Sequence, residues 1–219
     1  MAKKLFPDGT EVVPFYVRAI RSDPMVFVSG TTSLDSKGRV QGKDAGEQTT
    51  ITMRKIEAAL RKAGCKLSDL TQLTIRARTD AQVRSAHRYR NYGQASTLRV
   101  RSGSSRVYVK FDVTGISARP QSAKLRFWVT NGGPSGGTVR RVSSSWKEST
   151  ITWHNAPSLS SSPIASYGAV SAGHWVEVEV RSAFSKNGTV SFAISGGSSN
   201  IVDYASTETS HDPVLVITP

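Results

Sequence analysis

Arginine and lysine residues recur at alternate positions in several short segments of the later part of the chain. Because successive side chains of a β-strand point to opposite faces, such residues would lie on one face and the apolar residues between them on the other. Guanidinium groups pair with carboxylates through two parallel hydrogen bonds, and aromatic rings pack on sugar faces. If these strands are neighbours, they form a basic stripe suited to an acidic polymer. The candidate binding residues are Arg99, Arg101, Tyr108, Lys110, Arg126 and Arg140, with Trp128 as the alternative to Tyr108.

A second interpretation is that these positions are ordinary solvated strand residues of a basic protein. The chain has 219 residues, with 29 lysines and arginines against 16 acidic residues and a net charge of +13. That charge attracts polyanions of any kind, including nucleic acid, polysaccharide and acidic surfaces. No helix-turn-helix, zinc-finger or RNP-like pattern is present, so specific nucleic-acid recognition is not expected. Nonspecific nucleic-acid binding stays open as an alternative.

Other aromatic and basic residues have a simpler structural interpretation. Large aromatic residues in all-β domains more often fill the core or anchor loops than bind ligands. Trp146, Trp153 and Trp175 are therefore expected to be structural. Tyr92 is expected to anchor a turn, and the arginines around it are expected to form a charged loop. Those arginines are Arg84, Arg88 and Arg90.

The sequence contains no evident catalytic or metal-binding set. Its four histidines share no ligand spacing, and neither a nucleophile elbow nor a phosphate-binding loop is present. Asp203 and Asp212 are candidates for a calcium site, although two carboxylates without a ligand-loop pattern are weak evidence. The single cysteine, Cys65, excludes an intramolecular disulfide. We therefore expect no metal and no cofactor.

The elements that must position these residues change character near residue 80. Before it, a strand-like run at 26–28 and a hairpin-type turn at 35–38, with Val40 beyond the turn, are followed by a helix. Asp44 can cap that helix, Glu47 can close a capping box, and Gly64 can end it. The apolar alternation at 73–77 predicts a further strand. This β-β-α-β order is typical of a small α+β segment.

From residue 81 onward helical periodicity disappears, and strand-like runs follow one another between clusters of glycine, serine, asparagine and proline. Such frequent short strands are typical of a β-sandwich or jelly roll. We therefore predict a mainly β chain, a jelly-roll-like antiparallel β-sandwich preceded by the α+β segment. The predicted strands are 98–101, 107–113, 123–130, 138–142, 149–153, 174–180, 189–194 and 213–217.

The first segment resembles the RidA/YjgF family over roughly residues 10–80. The resemblance lies in the order and spacing of Val26–Thr32, Asp44–Thr49, Ile56–Leu60 and Leu67–Leu70. RidA proteins are small α+β trimers that hydrolyse reactive enamines and imines. The resemblance places Tyr16 and Ser29 at substrate-side positions. The chain leaves the family pattern at Asp80, before the strand that carries the substrate-binding arginine, so catalysis is not expected.

The remainder resembles the DNRLRE-type carbohydrate-binding module from about residue 78 to the end. The matching stretches include Asn91–Gly93, Thr97–Arg101, Tyr108–Val113, Trp146–Trp153 and Pro213–Ile217. Characterised members of that family bind alginate and similar acidic polysaccharides. The resemblance implies a β-sandwich fold, and such modules are usually attached to secreted enzymes or surface proteins. One departure is His87–Arg90, where the family often has a less charged turn that contains proline.

Together these patterns predict two parts, a truncated RidA-like segment at 1–78 and a carbohydrate-binding β-sandwich at 79–219. The expected function is non-catalytic binding of an anionic polysaccharide such as alginate. The alternative is imine or enamine deaminase activity in the N-terminal half, completed by homo-oligomerisation. The second resemblance favours an extracellular location, while a cytoplasmic one is the alternative because no export signal is visible. No apolar run is long enough to span a membrane.

Overall fold

The computed structural model describes residues 3–7, 9, 16–116 and 119–219. The chain forms two compact units, Met1–Leu70 and Thr71–Pro219. It is mainly β, with an α+β first unit and a β-sandwich as the second, as the sequence predicts. Within the described ranges, no helix has the length and apolarity that a membrane crossing needs.

The first unit consists of a three-stranded antiparallel sheet and one long helix. Its elements are β1 (Lys4–Phe6), β2 (Ala19–Ser22), β3 (Met25–Val28) and α1 (Ala45–Lys62). Strand β2 lies between β1 and β3. Phe6 and Ala19 on one face of the sheet form a small buried cluster with Ala59 and Ala63 of the helix. This cluster is the apolar core of the unit.

The predicted helix, its N-cap Asp44 and its end at Gly64 are confirmed, whereas Glu47 bonds the amide before the N-cap and does not close the predicted capping box. The Asp44 carboxylate accepts a hydrogen bond from the Glu47 amide at 2.9 Å, and the Glu47 carboxylate accepts one from the Lys43 amide at 2.9 Å. Gly64 has a φ of +81°, which favours glycine, and follows the last turn. The Cys65 amide then donates to the Leu60 carbonyl oxygen at 2.8 Å.

The second unit is a sandwich of two antiparallel sheets. The five-stranded sheet has the order β10-β9-β12-β7-β5, and the six-stranded sheet has the order β4-β14-β8-β13-β6 with β11 beside β8. The strands are β4 (Leu73–Arg76), β5 (Thr79–Arg84), β6 (Thr97–Val100), β7 (Ser105–Val113), β8 (Ser122–Asn131), β9 (Gly137–Val142), β10 (Ala165–Tyr167), β11 (Trp175–Glu179), β12 (Gly188–Ser195), β13 (Val202–Ala205) and β14 (Val214–Thr218).

Strand β8 organises the six-stranded sheet. Strand β11 pairs along one of its edges, while β13 and then β14 pair along the other. The inward residues of both sheets form one core that includes Phe111, Phe127, Phe192 and Tyr204. Strand β4 pairs with β14, so the predicted strand at 73–77 belongs to the sandwich and not to the first unit. The compact units accordingly divide at Leu70 and Thr71, ahead of the boundary that the sequence predicts.

A long segment at 143–159 covers the outer face of the five-stranded sheet. Tyr108 and Lys110 point to this face, as their alternation predicts, but both are buried. The Tyr108 hydroxyl donates to the Pro157 carbonyl oxygen at 3.0 Å, and Lys110 Nζ donates to the Trp146 carbonyl oxygen at 2.6 Å. The expected exposure of Tyr108 and Lys110 is therefore wrong, because a second apolar cluster fills this face.

The same segment contains the one predicted strand of the sandwich that does not form. Residues 149–153 make turns and irregular backbone, whereas each of the other predicted strands of the sandwich is present within two residues of its predicted bounds. Ile151 is buried because the segment packs its side chain on the sheet below. The alternation of apolar and polar residues at 149–153 thus occurs in a segment that is not a strand. Strands β5, β10 and β13 were not predicted.

Asp80 at the start of β5 is a fully buried carboxyl group. Its Oδ2 accepts a hydrogen bond from the Thr207 amide at 2.8 Å, and its Oδ1 has no hydrogen-bond partner among the described residues. Burial, together with the nearby charges of Glu208 and Glu148, raises the pKa of Asp80 to about 8. Asp80 is consequently protonated in the folded chain at neutral pH.

We predict that Asp80→Asn reduces the pH dependence of stability between about pH 4 and pH 8. In that window folded Asp80 keeps a proton that the unfolded chain has lost, because its ordinary pKa is 3.8. The folded state binds more protons, so the free energy of unfolding falls as pH rises. Asparagine keeps an oxygen that accepts the hydrogen bond from the Thr207 amide, but it does not titrate, so this fall in the free energy of unfolding is removed. Urea denaturation at several pH values measures it, and a variant with an unchanged slope would contradict the prediction.

Candidate functional site

The expected basic stripe is divided between the two sheets. Outward residues of the six-stranded sheet and of the five-stranded sheet point away from each other, because the core lies between the sheets. Three expected residues belong to each sheet. They are Arg99, Arg101 and Arg126 on the six-stranded sheet and its edge, and Tyr108, Lys110 and Arg140 on the five-stranded sheet. The structure does not bring the six residues together.

Two of these arginines already face carboxylates within the fold. Arg99 forms a two-bonded ion pair with Asp203, at 2.8 Å from Nε to Oδ1 and 3.0 Å from Nη2 to Oδ2. Arg126 lies beside Glu177, with 3.4 Å between Nε and Oε2. Because each positive charge is matched locally, neither arginine offers a strong site for an acidic ligand.

Arg101 and Arg140 hold main-chain oxygens of loops. Arg101 Nε donates to the Ser199 carbonyl oxygen at 2.8 Å. Arg140 Nη1 donates to the carbonyl oxygens of Ser160 and Ser161 at 2.9 and 2.7 Å. Both arginines therefore have roles in fixing loop conformation.

The two candidate calcium ligands are engaged in separate ion pairs. Asp203 pairs with Arg99, and Asp212 pairs with Arg76 at 2.6 Å. Within residues 3–7, 9, 16–116 and 119–219, no group of three or more histidine, cysteine or acidic residues is placed to hold a metal ion. The described residues thus give no support for calcium.

A different set of cations gathers at one end of the second unit. There the loop after β5 meets the turn at 150–155, and four arginines each lie over an aromatic ring. We call this set the arginine–aromatic cluster. Its members are Arg84, His87, Arg88, Tyr89, Arg90, Tyr92, Arg106, Trp153 and His154.

Tyr92 is the centre of this cluster. The guanidinium carbons of Arg84 and Arg90 lie 4.8 and 5.1 Å from the centroid of its ring. The His87 ring stacks at 6.1 Å, and its Nδ1 forms a hydrogen bond with the Tyr92 hydroxyl. Contact with the electron-rich ring stabilises each guanidinium and offsets part of their mutual repulsion. Tyr92 is thus a turn anchor, as expected, and also a platform for two cations.

Tyr89 and Trp153 extend the cluster across the surface. Arg88 lies 5.5 Å from the ring of Tyr89, and Arg106 lies 4.4 Å from the ring of Trp153. The rings of Tyr89 and His154 are 4.9 Å apart, and the His154 amide donates to the Arg88 carbonyl oxygen at 2.9 Å. Tyr89 is 70% exposed, so its ring is open to a ligand.

Asn91 joins the two loops that carry the cluster. Its Nδ2 donates to the carbonyl oxygens of Glu148 and Ile151 at 2.6 and 2.8 Å, and its Oδ1 accepts from the Gly93 amide at 3.1 Å. A Cβ atom on Gly93 would lie 2.4 Å from the Glu148 carbonyl oxygen. The close approach of the loops therefore requires glycine, which gives the Asn91–Gly93 sequence a physical reason.

The cluster is a concentration of unmatched positive charge. Among the residues that the structure describes, no carboxylate forms an ion pair with Arg84, Arg88, Arg90 or Arg106. Four other arginines of the unit have such partners, namely Arg76, Arg78, Arg99 and Arg126. Stacking on a ring uses the flat face of a guanidinium and leaves its N–H edge for hydrogen bonds. Arg88 and Arg90 are exposed. Their donors are accordingly available to an anion.

A cleft of about 590 Å³ lies in the segment beside the cluster. Five of its nine lining residues carry a hydroxyl or amide group, and the others are one lysine, one tryptophan, one isoleucine and one proline. Such groups can exchange hydrogen bonds with sugar hydroxyls. The lining residues are Ser143, Ser145, Trp146, Lys147, Thr150, Ile151, Asn155, Pro157 and Ser158.

The sequence predicts only a charged loop for Arg84, Arg88 and Arg90. Arg106 and Trp153 come from distant parts of the chain, so their contact depends on the fold. A local signal was available, because basic and aromatic residues alternate from His87 to Tyr92 in a turn that departs from the resembled family.

In the first unit, the RidA-like positions are occupied by internal hydrogen bonds. The Tyr16 hydroxyl donates to the Gly30 carbonyl oxygen, and Ser29 Oγ donates to the Val17 carbonyl oxygen at 2.7 Å. Arg18, which is buried, donates to the Tyr16 hydroxyl at 3.1 Å. Both hydroxyl protons are thus directed at main-chain oxygens.

The sandwich, with its exposed cationic and aromatic end, has the character of a binding module for a polar polymer. Comparison with protein-family models identifies its family. Residues 71–219 match the model of carbohydrate-binding module family 96, so the chain belongs to that family. This match confirms the carbohydrate-binding module suspected from the sequence, and it covers all strands of the two sheets.

A second family model matches the beginning of the chain. Residues 10–89 are similar to the family described as endoribonuclease L-PSP, which is the RidA-like resemblance noted above. The two matches overlap at residues 71–89, which form β4 and β5 of the sandwich. No protein in the curated set matches the chain.

We predict that Asn91→Ala lowers the free energy of unfolding of the second unit by about 2 kcal/mol, because two main-chain oxygens lose their donor. Guanidinium denaturation followed by tryptophan fluorescence measures the change. Asn200→Ala, at an exposed loop residue, is the matched control, with an expected change below about 0.5 kcal/mol. Equal effects of the two substitutions would contradict a joining role for Asn91.

Proposed function

We propose that the second unit binds an anionic polysaccharide of the uronate type, such as alginate, through the arginine–aromatic cluster. The observation that carries this proposal is the placement of four guanidinium groups on aromatic rings, without ion-pair partners among the described residues. Membership in a carbohydrate-binding family supplies the class of ligand. The charge of the cluster supplies the preference for an acidic one.

In the proposed mechanism, the exposed edges of Arg88 and Arg90 donate hydrogen bonds to uronate carboxylates. A charged donor and a charged acceptor give stronger hydrogen bonds than neutral groups do. The open ring of Tyr89 packs against the apolar face of a sugar. The neighbouring cleft, with Lys147 and Asn155 in its lining, receives the next part of the chain. Each contact is weak, and a polymer with many sites gains affinity through multiplicity.

Nucleic acid is the competing polyanion, because arginines and aromatic rings also bind phosphates and bases. The family match favours sugar, whereas the net charge of +13 does not discriminate between the two. Salt dependence separates these alternatives, since binding by charge alone weakens steeply as counterions are added.

We predict that Arg88→Ala and Arg90→Ala each weaken binding of an alginate oligomer at least tenfold, or about 1.4 kcal/mol. Isothermal titration calorimetry of the full chain at physiological salt measures the affinity. Arg181→Ala is the matched control, because it removes one exposed charge outside the cluster. Arg88→Lys keeps the charge and loses the two-bonded geometry, so we expect a loss smaller than that of Arg88→Ala.

Two results would contradict the proposal. One is an equal loss of affinity in Arg88→Ala and Arg181→Ala, which would mean that only total charge matters. The other is equal binding of alginate and single-stranded DNA that disappears at physiological salt. If only Arg99→Ala and Arg126→Ala reduced the affinity for alginate, the binding site would lie on the six-stranded sheet instead.

We further propose that the chain is not an enzyme and that its first unit does not hydrolyse imines. The internal hydrogen bonds of Tyr16 and Ser29 support this proposal. We predict no hydrolysis of a phenylglycine-derived imine above the buffer rate at any concentration of the full chain. Turnover that is abolished by Ser29→Ala, or that appears only where the chain self-associates, would establish the deaminase alternative. An extracellular location stays a prediction.

A further inference from the structure

A group of aromatic rings lies on the outer face of the six-stranded sheet. Trp128 of β8 and Trp175 of β11 are direct cross-strand partners, with ring centroids 5.7 Å apart and planes at 69°. His211, from the segment between β13 and β14, stacks on Trp128 at 4.5 Å and 22°. We call Trp128, Trp175 and His211 the aromatic platform.

The platform is not part of the apolar core. Its strands alternate, so Phe127 and Val129 point inward, while Trp128 points outward with Trp175 opposite it. Trp175 is 37% exposed, which leaves a large apolar ring surface in contact with water. The expectation that Trp175 is purely structural does not account for this exposure.

The charges around the platform are matched, in contrast to those of the arginine–aromatic cluster. Arg126 lies 5.3 Å from the centroid of Trp175, and Glu177 pairs with both Arg126 and Lys124. Glu179, the register partner of Lys124, supplies a second carboxylate on the same face of β11. Asp212, next to His211, pairs with Arg76. The surface therefore lacks a net attraction for an acidic polymer, yet it offers charged donors and acceptors beside exposed rings.

We propose that the platform is a second carbohydrate site, which takes an uncharged polysaccharide chain. The apolar face of a neutral pyranose packs on Trp175 and Trp128, as aromatic rings in binding sites favour. The carboxylate of Glu177 and the guanidinium of Arg126 exchange hydrogen bonds with hydroxyl groups of the sugar. A uronate carboxylate at this surface would meet Glu177 and Glu179 as well as Arg126 and Lys124, so it would gain no net electrostatic attraction.

This site does not depend on the arginine–aromatic cluster, because the two lie on different sheets and share no residue. One molecule would then hold an acidic chain at one site and a neutral chain at the other. The second unit becomes a connector between two kinds of polysaccharide, which goes beyond binding of an anionic polymer.

The test uses the full chain and three neutral probes, cellohexaose, mannohexaose and laminarihexaose. We expect at least one of them to shift two of the four indole N–H signals in a ¹⁵N-labelled sample, those of Trp128 and Trp175. Trp175→Phe and Trp128→Phe assign the signals. Calorimetry should show at least a tenfold loss of affinity for that probe in Trp175→Ala, with alginate-oligomer affinity changed less than twofold.

Trp153→Ala is the matched control, since it removes a tryptophan of the arginine–aromatic cluster and should leave the neutral probe within twofold. The inference is overturned if no neutral probe shifts the Trp128 and Trp175 signals at millimolar concentration. It is also overturned if Trp175→Ala leaves the affinity for the neutral probe unchanged, or reduces alginate affinity equally. Failure of the acidic site would appear separately, as alginate affinity that is insensitive to Arg88→Ala and Arg90→Ala.

Discussion

The second unit depends on burial of both faces of its five-stranded sheet. The inner face packs on the six-stranded sheet, and the outer face packs beneath the segment at 143–159. Lys110 shows how complete this cover is, because its ammonium group is held against the carbonyl oxygen and the ring of Trp146. Burial lowers the pKa of Lys110 accordingly. The segment therefore closes the outer face over the central strands β7 and β12, while the loops at the end of the sheet stay exposed.

The positions of carboxylates distinguish two groups among the arginines of the second unit. Arg99 and Arg76 meet aspartates of distant segments and act as cross-links. The arginines around Tyr92 meet aromatic rings instead, which support a cation without cancelling its charge. Four arginines without ion-pair partners among the described residues thus gather at one end of the sandwich.

Local patterns predict much of the fold and little of the site. Alternation gives the strands and the direction of Tyr108, since both depend on neighbours in sequence. It does not reveal that a segment with Trp146 and Pro157 covers that face, because the cover comes from tertiary packing. The pairing of Arg99 with Asp203 spans more than half of the sandwich sequence and has no local signature. The arginine–aromatic cluster likewise depends on tertiary packing, so the sequence does not predict it as a site. Only its His87–Tyr92 stretch has a local signal.

Strands β13 and β14 pair one after the other along the same edge of β8, so the connection between them can vary without changing the sheet. Each strand keeps its own register with β8, so the connection between them can change in length or composition without shifting either strand. That connection carries His211 onto the ring of Trp128, and it carries Thr207 to the buried Asp80. Insertions beyond Thr207 would remodel the ligand-facing surface while the anchor at Asp80 stays in place. Diversification of ligand preference within this architecture can thus proceed through one loop, with the sheets as a constant frame.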